Sequence, residues 1–91
     1  MKAKKKPIVL DVWQVVELTI DSKIPGWIFN AIFSDRVLNE SRKEGIELVV
    51  TTLEGKMEAK IGDYIVKGTK GEIWPVRKDI FEETYDVVEV E

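Results

Sequence analysis

The segment Ile61–Tyr85, IGDYIVKGTKGEIWPVRKDIFEETY, constrains the fold more than any other part of the chain, because it carries three glycines and one proline. The run Gly68–Gly71 has the composition of a tight turn, which indicates that Tyr64–Lys67 and Glu72–Val76 are the two strands of a hairpin. Pro75 has no backbone N–H to donate, so the second strand lies at a sheet edge or ends there. This segment therefore predicts antiparallel strands joined by short turns.

The 91 residues predict a single domain, residues 1–91, because two separate cores would each be too small to be stable. We expect the α+β class, with one antiparallel sheet of five or six strands and one main helix packed on one face. The helix is predicted at about residues 25–34. A short helical turn is predicted near residues 80–84, where Asp79 and Glu82 have the D-x-x-E spacing of a capping box.

The first strand of this sheet is predicted at Pro7–Leu18, where apolar positions alternate and β-branched residues are frequent. We expect it to pair with a last strand at residues 87–90. That pairing brings the basic residues Lys4–Lys6 near Glu89 and Glu91, in keeping with a basic amino end and an acidic carboxyl end. Two solvated termini are the alternative interpretation of the same charges.

A second hairpin is predicted by alternation with a period of two on both sides of Glu54-Gly55. The Glu-Gly pair is expected to form the two-residue loop, since glycine readily adopts the positive φ that a tight hairpin needs. Residues 46–53 form the first strand and residues 56–61 the second. The outer face of the second strand is expected to be solvated, with its polar residues Lys56, Glu58 and Lys60.

The predicted helix is apolar around most of its circumference, since only Asn30 interrupts the run Trp27–Phe33. A helix of this kind is either deeply buried or meets a partner. Burial on all sides is difficult in so small a domain. We therefore weigh a role in the core alone against a protein interface, which includes a homodimer contact, formed by Trp27, Phe29 and Phe33.

Composition excludes several kinds of chemistry. The chain has no His and no Cys, which rules out imidazole bases, thiolate nucleophiles, disulfides and zinc sites of the Cys/His type. No motif for a metal or cofactor is recognised, and an enzyme is not expected. The pI of about 5.1 argues against nucleic-acid binding, and no apolar run is long enough to cross a membrane. The absence of Cys fits the cytoplasm.

Basic and aromatic side chains near the Gly68–Gly71 run form a candidate ligand site. Lysines and arginines can bind phosphate groups, and an indole ring can stack on a base. An ordinary turn, with the tryptophan in the core or covering it, is the competing interpretation. A hydrolase using Asp63 and Tyr64 is a third and weaker one. The candidate residues are Lys67, Gly68, Lys70, Gly71, Trp74 and Arg77.

The segment from Ile61 to Tyr85 resembles the carboxyl-terminal half of a group of small proteins of tailed phages and prophages. Their pattern reads approximately P-G-D-x-I-x-x-G-x-x-G-E-x-x-P-x-K-P-D-x-F-x-x-T-Y. The amino-terminal KKKPIVLDVWQ and the Pro25–Trp27 start of the helix are also similar to that group. The residues that match the carboxyl-terminal pattern are Gly62, Asp63, Ile65, Gly68, Gly71, Glu72, Pro75, Asp79, Phe81, Thr84 and Tyr85.

The chain departs from this pattern at Ile61 in place of proline, at Val76 where cysteine is frequent, and at Arg77-Lys78 in place of Lys-Pro. The resemblance implies a phage or prophage origin and expression in the host cytoplasm. The group is described as having unknown function, so the resemblance supplies no catalytic residue.

These observations predict a non-enzymatic phage accessory protein that acts by binding a protein, with a homodimer through the helix as one form of that binding. The alternative is a module that binds a small ligand or nucleotide through Lys67, Lys70, Arg77 and Trp74.

Overall fold

The computed structural model describes residues 1–3, 7–40 and 45–88. These residues form six strands and two helices in an α+β arrangement, as the sequence predicts. In chain order the elements are β1 (Asp11–Gln14), α1 (Gly26–Phe33), β2 (Val37–Asn39), β3 (Leu48–Thr52), β4 (Gly55–Ala59), β5 (Tyr64–Lys67), β6 (Ile73–Val76) and α2 (Lys78–Thr84).

The strands form two antiparallel sheets, and the prediction of one sheet with five or six strands is wrong. One sheet has the order β1-β5-β6 and the other the order β2-β3-β4. The separation arises at residues 60–63, between β4 and β5. The N–H of Val15 donates to the carbonyl of Asp63 at 2.8 Å, and the N–H of Gly62 donates to the carbonyl of Val15 at 2.9 Å. Because this turn is bonded to the chain that follows β1, β5 pairs with β1 instead of β4.

The predicted pairing of the first strand with a carboxyl-terminal strand is also wrong for the described residues. β1 is four residues long, not twelve as Pro7–Leu18 would be, and its partner is β5, with Trp13 opposite Ile65. Residues 85–88 contain no strand, although they line one groove together with residues 7–10. The predicted charge pairing of Lys4–Lys6 with Glu89 and Glu91 lies outside the described residues.

The hydrophobic core lies between α1 and the two sheets, and every element except α2 contributes to it. Ile28 and Ala31 are the buried residues of α1. The strands, together with Val15 just after β1, supply the remaining buried members of the cluster: Trp13, Val15, Val37, Leu48, Val50, Ala59, Ile65 and Ile73.

A second, smaller buried region lies on the opposite face of β5. Adjacent residues of a strand point to opposite faces, so Tyr64 and Val66 point away from the main core, which contains Ile65. The ring of Phe81, from α2, stacks on Tyr64 with 3.8 Å between the ring centroids. Phe81 is 2% exposed. The sheet that contains β5 is therefore covered on both of its faces.

The β3–β4 hairpin is present, but its loop is shifted by one residue from the prediction. Thr52 lies opposite Gly55, which leaves Leu53 and Glu54 as the loop. The hydroxyl of Thr52 donates to the carbonyl of Gly55 at 2.8 Å and accepts from the N–H of Glu54 at 3.1 Å. These bonds fix the register in which the loop lies one residue earlier than predicted. Gly55 supplies the positive φ of +114° as the first residue of β4.

A helix is present at each predicted position, but the prediction of one main helix and a single helical turn is wrong, because α2 has seven residues and α1 has eight. Pro25 precedes α1 in an extended conformation, and the hydroxyl of Ser34 donates to the carbonyl of Asn30 at 2.8 Å where the helix ends. The capping box predicted for α2 is absent, because the helix already begins at Lys78 and the side chain of Asp79 is bonded to Arg77. In the part of the chain that the structure describes, neither helix has the length and apolar character needed to cross a membrane.

Candidate functional site

The β5–β6 hairpin places the candidate ligand residues, and its register separates them. Lys67 lies opposite Ile73 at the turn end of the hairpin, whereas Val76, the residue before Arg77, lies opposite Tyr64 at the other end. Lys67 shares a face with Ile73, but Trp74 is the next residue and points to the opposite face. The structure therefore does not bring Lys67, Trp74 and Arg77 together on one surface.

The Gly68–Gly71 run is a hairpin turn, as the interpretation of an ordinary turn predicts. The N–H of Gly68 donates to the carbonyl of Glu72 at 2.8 Å, and the N–H of Gly71 donates to the carbonyl of Gly68 at 3.1 Å. These two amides are therefore not free to cradle an anion. Gly71 has a φ of +84°, which favours glycine.

Gly68 lies close to two side chains of the same hairpin. A Cβ atom at this position would overlap the carboxylate of Glu72 and would lie 3.0 Å from the ring of Trp74. The carboxylate of Glu72 and the indole therefore cover the backbone at Gly68 on one face of the hairpin. A negative charge placed over this backbone disfavours anion binding on that face.

Lys67 and Lys70 line a depression of about 370 Å³ on the other side of the turn, next to α1. The guanidinium of Arg36, which lies between α1 and β2, donates to the carbonyl of Gly71 at 3.2 Å and holds the turn close to the helix. We call this depression the basic depression. Its described lining residues are Trp27, Asn30, Arg36, Lys67, Lys70, Gly71 and Ile73.

Trp74 lies on a different, more apolar groove of about 390 Å³. The groove also contains Leu53 and Met57 of the β3–β4 hairpin, which are 88% and 43% exposed. The side chain of Trp74 is only partly buried, and on the ladder it stands opposite Val66. Trp74 is therefore not one of the buried core residues, and it lies beside the β3–β4 hairpin.

Arg77 is paired with an acid. Its guanidinium donates to both carboxylate oxygens of Asp79, at 3.2 and 2.7 Å. The hydrogen bond from Arg77 holds the pKa of Asp79 below its ordinary value, and the same bond raises the pKa of Arg77. The pair borders an open depression of about 810 Å³ with a mixture of charges, which includes Glu58 and Lys60. The acids beside Arg77 offset its charge there.

Asp63 and Tyr64, the residues of the hydrolase interpretation, have structural contacts. One carboxylate oxygen of Asp63 accepts from the N–H of Lys60 at 2.9 Å, and the other accepts from the N–H of Lys78 at 3.2 Å. The first bond closes the turn before β5, and the second caps the start of α2. Tyr64 is stacked on Phe81. Both residues therefore have a role in the fold that accounts for their presence.

The candidate protein interface divides into two parts. Phe29 and Phe33 are 57% and 82% exposed, and their rings stack with 6.3 Å between centroids. Trp27 is half-buried, packs against the core and lines the basic depression. Residues two apart do not share a helix face, so Trp27 and Phe29 point in different directions.

Sequence reasoning missed Asn30 and Arg36 as partners of the two lysines. The spacing of Trp27 and Asn30, three residues apart on a helix, is a signal that these two side chains lie together. Nothing comparable in the sequence connects Arg36 with Lys70, because their proximity depends on how α1 packs beside the β5–β6 turn. Among the described residues there is no group of three or more acidic side chains able to hold a metal ion.

Comparison of the chain with protein-family models, with curated proteins and with solved structures found no match.

Proposed function

We propose that this chain is a non-enzymatic binding protein that associates through the exposed Phe29–Phe33 pair of α1, with a second copy of the chain as the partner. The exposure of two stacked phenyl rings on one helix is the observation that carries the proposal. A solvated helix face normally presents charged or polar groups. Here the first turn has no acidic residue and the last turn has no basic residue.

The chemistry of this face suits a protein partner. The centres of protein interfaces are enriched in aromatic residues and depleted in charged ones. In a two-fold dimer the same patch meets itself, so Phe29 and Phe33 of one copy pack against the same pair of the other. Stable complexes bury roughly 800 Å² on each partner, more than two phenyl rings supply. We therefore expect weak association, in the micromolar range.

The non-enzymatic part of the proposal rests on the composition and on the contacts of the acids. The chain contains no His or Cys. The carboxylate of Asp63 is used by two backbone amides, and that of Asp79 is held by Arg77. The resemblance of the Ile61–Tyr85 segment to phage proteins supports the further proposal of a phage or prophage accessory protein that acts in the host cytoplasm.

Sedimentation velocity over a concentration series tests the second-copy partner. The wild-type chain should show a rising sedimentation coefficient from low to high micromolar concentration, and Phe33→Asp should remain monomeric. Leu53→Asp is the matched control, because Leu53 is 88% exposed, lies in a turn and undergoes the same change of charge. A wild-type chain that stays monomeric throughout, or equal loss of association in both variants, would contradict the proposal.

A further inference from the structure

We propose that the basic depression binds a nucleoside phosphate, with the phosphate held by Lys67, Lys70 and Arg36 and the base placed against Trp27. The depression is separate from the Phe29–Phe33 pair, and the inference does not depend on self-association. Its volume of about 370 Å³ falls within the roughly 300–1,000 Å³ of small-molecule sites.

The basic depression is positively charged. Its three cations come from separate parts of the chain: Arg36 after α1, Lys67 at the end of β5, and Lys70 in the turn. Within the described residues neither lysine has an ion-pair partner, whereas Arg77 and Lys78 lie beside Asp79 and Glu82.

This local charge is not a consequence of a basic chain, since the formal net charge is −3. The acid closest along the turn is Glu72, and its carboxylate lies over Gly68 next to Trp74, away from the depression. Asp11 stands opposite Lys67 on the β1–β5 ladder and offsets part of its charge, although the two form no ion pair among the described residues. Lysines that converge on a concave surface without ion-pair partners attract an anion, and a phosphate accepts several charge-assisted hydrogen bonds.

The packing of the β5–β6 turn beside α1 creates the depression. Lys67 stands on the core-facing side of β5, at the end of the strand, so its amino group emerges beside α1 and not on the outer face of the sheet. Arg36 is fixed by its bond to the carbonyl of Gly71 at 3.2 Å. That bond uses one nitrogen of the guanidinium, which leaves further N–H groups for a ligand.

The lining contributed by α1 favours a nucleotide over phosphate alone. Trp27 packs against the core with one part and lines the depression with another, so its ring is held in place before any ligand arrives. Asn30 is exposed, and in the described part of the chain its side-chain amide has no hydrogen-bond partner. An aromatic surface beside a free amide can contact a base and pair with its polar edge.

Titration by NMR tests the proposal, because it reports where a ligand binds as well as whether it binds. The probes are the mono- and diphosphates of adenosine and guanosine, with adenosine and inorganic phosphate as references. We expect at least one nucleotide to shift the indole N–H of Trp27 and the side-chain amide of Asn30. Adenosine and phosphate should each bind more weakly, and added NaCl should weaken nucleotide binding.

Paired lysine variants provide the matched control. Lys67→Ala with Lys70→Ala should reduce the affinity about tenfold or more, since each lost charge-assisted hydrogen bond commonly has an effect of that size. Lys56→Ala with Lys60→Ala removes the same charge from an exposed face elsewhere and should leave the affinity unchanged. Phe29→Ser changes no charge and lies farther around α1 from Asn30 than Phe33 does. It should also leave the affinity unchanged, which separates this test from the test of self-association.

Four results would overturn the inference. The first is that no nucleotide at millimolar concentration shifts the signals of Trp27 or Asn30, and the second is that both lysine double variants lose the same affinity. The third is that phosphate binds as tightly as the nucleotides. The fourth is that a single-stranded oligonucleotide binds more tightly than any mononucleotide. The last two results would replace the nucleotide by a simple anion and by a nucleic acid, respectively.

Discussion

The two hairpins of this chain are similar in length but differ in how they are covered. In the β3–β4 hairpin, Leu48 and Val50 are buried, while β4 is exposed from Gly55 to Glu58. In the β5–β6 hairpin, Ile65 and Ile73 face the main core, and Val66 is buried on the other face, on the side where Phe81 packs. Strict alternation of apolar and polar residues thus indicates a hairpin that is covered on one face. Adjacent apolar residues indicate a hairpin that is covered on both faces.

This difference also decides where a binding surface can form. The β5–β6 hairpin has a helix on each side, so the ends of its strands meet side chains from other elements. Lys67 meets α1 at one end, and Asp63 meets α2 at the other. The polar face of β4, by contrast, carries its charges into solvent, where they contribute little to stability or recognition.

The largest expected effect comes from removing the ring that covers the second face of β5. Phe81→Ala should lower the free energy of unfolding by about 3–5 kcal/mol, whereas Met57→Ala, at an exposed position of β4, should lower it by less than about 1 kcal/mol. Urea denaturation followed by tryptophan fluorescence measures both. Phe81→Leu provides a milder variant if the alanine variant does not fold, and equal losses at Phe81 and Met57 would remove the distinction between the hairpins.

A smaller effect is expected at Glu47, which precedes β3 and is 6% exposed. Its carboxylate accepts from the N–H of Leu18 at 3.3 Å and connects the β3–β4 hairpin to the chain that follows β1. Glu47→Ala leaves that amide without its partner and should lower the free energy of unfolding by about 1–3 kcal/mol. Glu47→Gln keeps an acceptor oxygen and should lower the free energy of unfolding by a smaller amount. An alanine variant as stable as the glutamine variant would show that the bond contributes nothing.

The turn glycines should respond in different ways. Gly68→Ala should lower the free energy of unfolding by about 1 kcal/mol through crowding against Glu72 and Trp74, and adding Glu72→Ala should restore part of the loss. Gly55→Ala should be destabilising because its φ of +114° disfavours a residue with a side chain. Crowding is not the cause there, because nothing lies within 4 Å of the added Cβ. A second change at Glu72 should therefore have no effect on the Gly55 variant. Thermal denaturation of the four variants measures these differences, and an unchanged loss in the Gly68 double variant would exclude crowding by Glu72.

The smallest effect is expected at the exposed Arg77–Asp79 pair. The pKa of Asp79 is lowered in the folded chain by the hydrogen bond from Arg77. Its stabilising contribution is therefore present above the ordinary pKa of 3.8 and is lost as the pH falls through the lower, folded value. Asp79→Asn should be slightly less stable than the wild type at neutral pH, and the difference should disappear in acid.

Glu83→Gln is the control for this last comparison, because Glu83 lies on the same helix and has no ion-pair partner among the described residues. Denaturation at a series of pH values measures the difference in free energy of unfolding between each variant and the wild type. For Glu83→Gln this difference should not change with pH. A flat difference for Asp79→Asn as well would show that the pair has no effect on folding.

Much of the local structure could be predicted from the sequence, because turns and helix starts depend on near neighbours. Pro25 indicates the start of α1, and the glycines at 68 and 71 indicate the β5–β6 turn. The division into two sheets could not be predicted. It depends on the bonds of Val15 to the turn at residues 60–63, and no local pattern records contacts between segments so far apart in the chain.

The candidate site shows the same limit. Lys67 and Lys70 could be selected because one precedes the Gly68–Gly71 turn and the other lies in it. Trp74 could have been set aside, since Ile73 and Trp74 are adjacent in a strand and must point to opposite faces. Arg36 could not be selected, because it reaches the turn only through the packing of α1. The proposal of a phage origin draws on residues such as Gly68 and Asp63, whose contacts in the structure are those of the fold.

The two hydrogen bonds of the Asp63 carboxylate have a consequence for how the chain opens. One side chain protects the amide protons of Lys60 and Lys78, which belong to a turn and to a helix in distant parts of the sequence. If that carboxylate swings out, both amides are exposed to water at once. We therefore expect their deuterium uptake to rise and fall together, so that the end of β4 and the beginning of α2 behave as one cooperative unit.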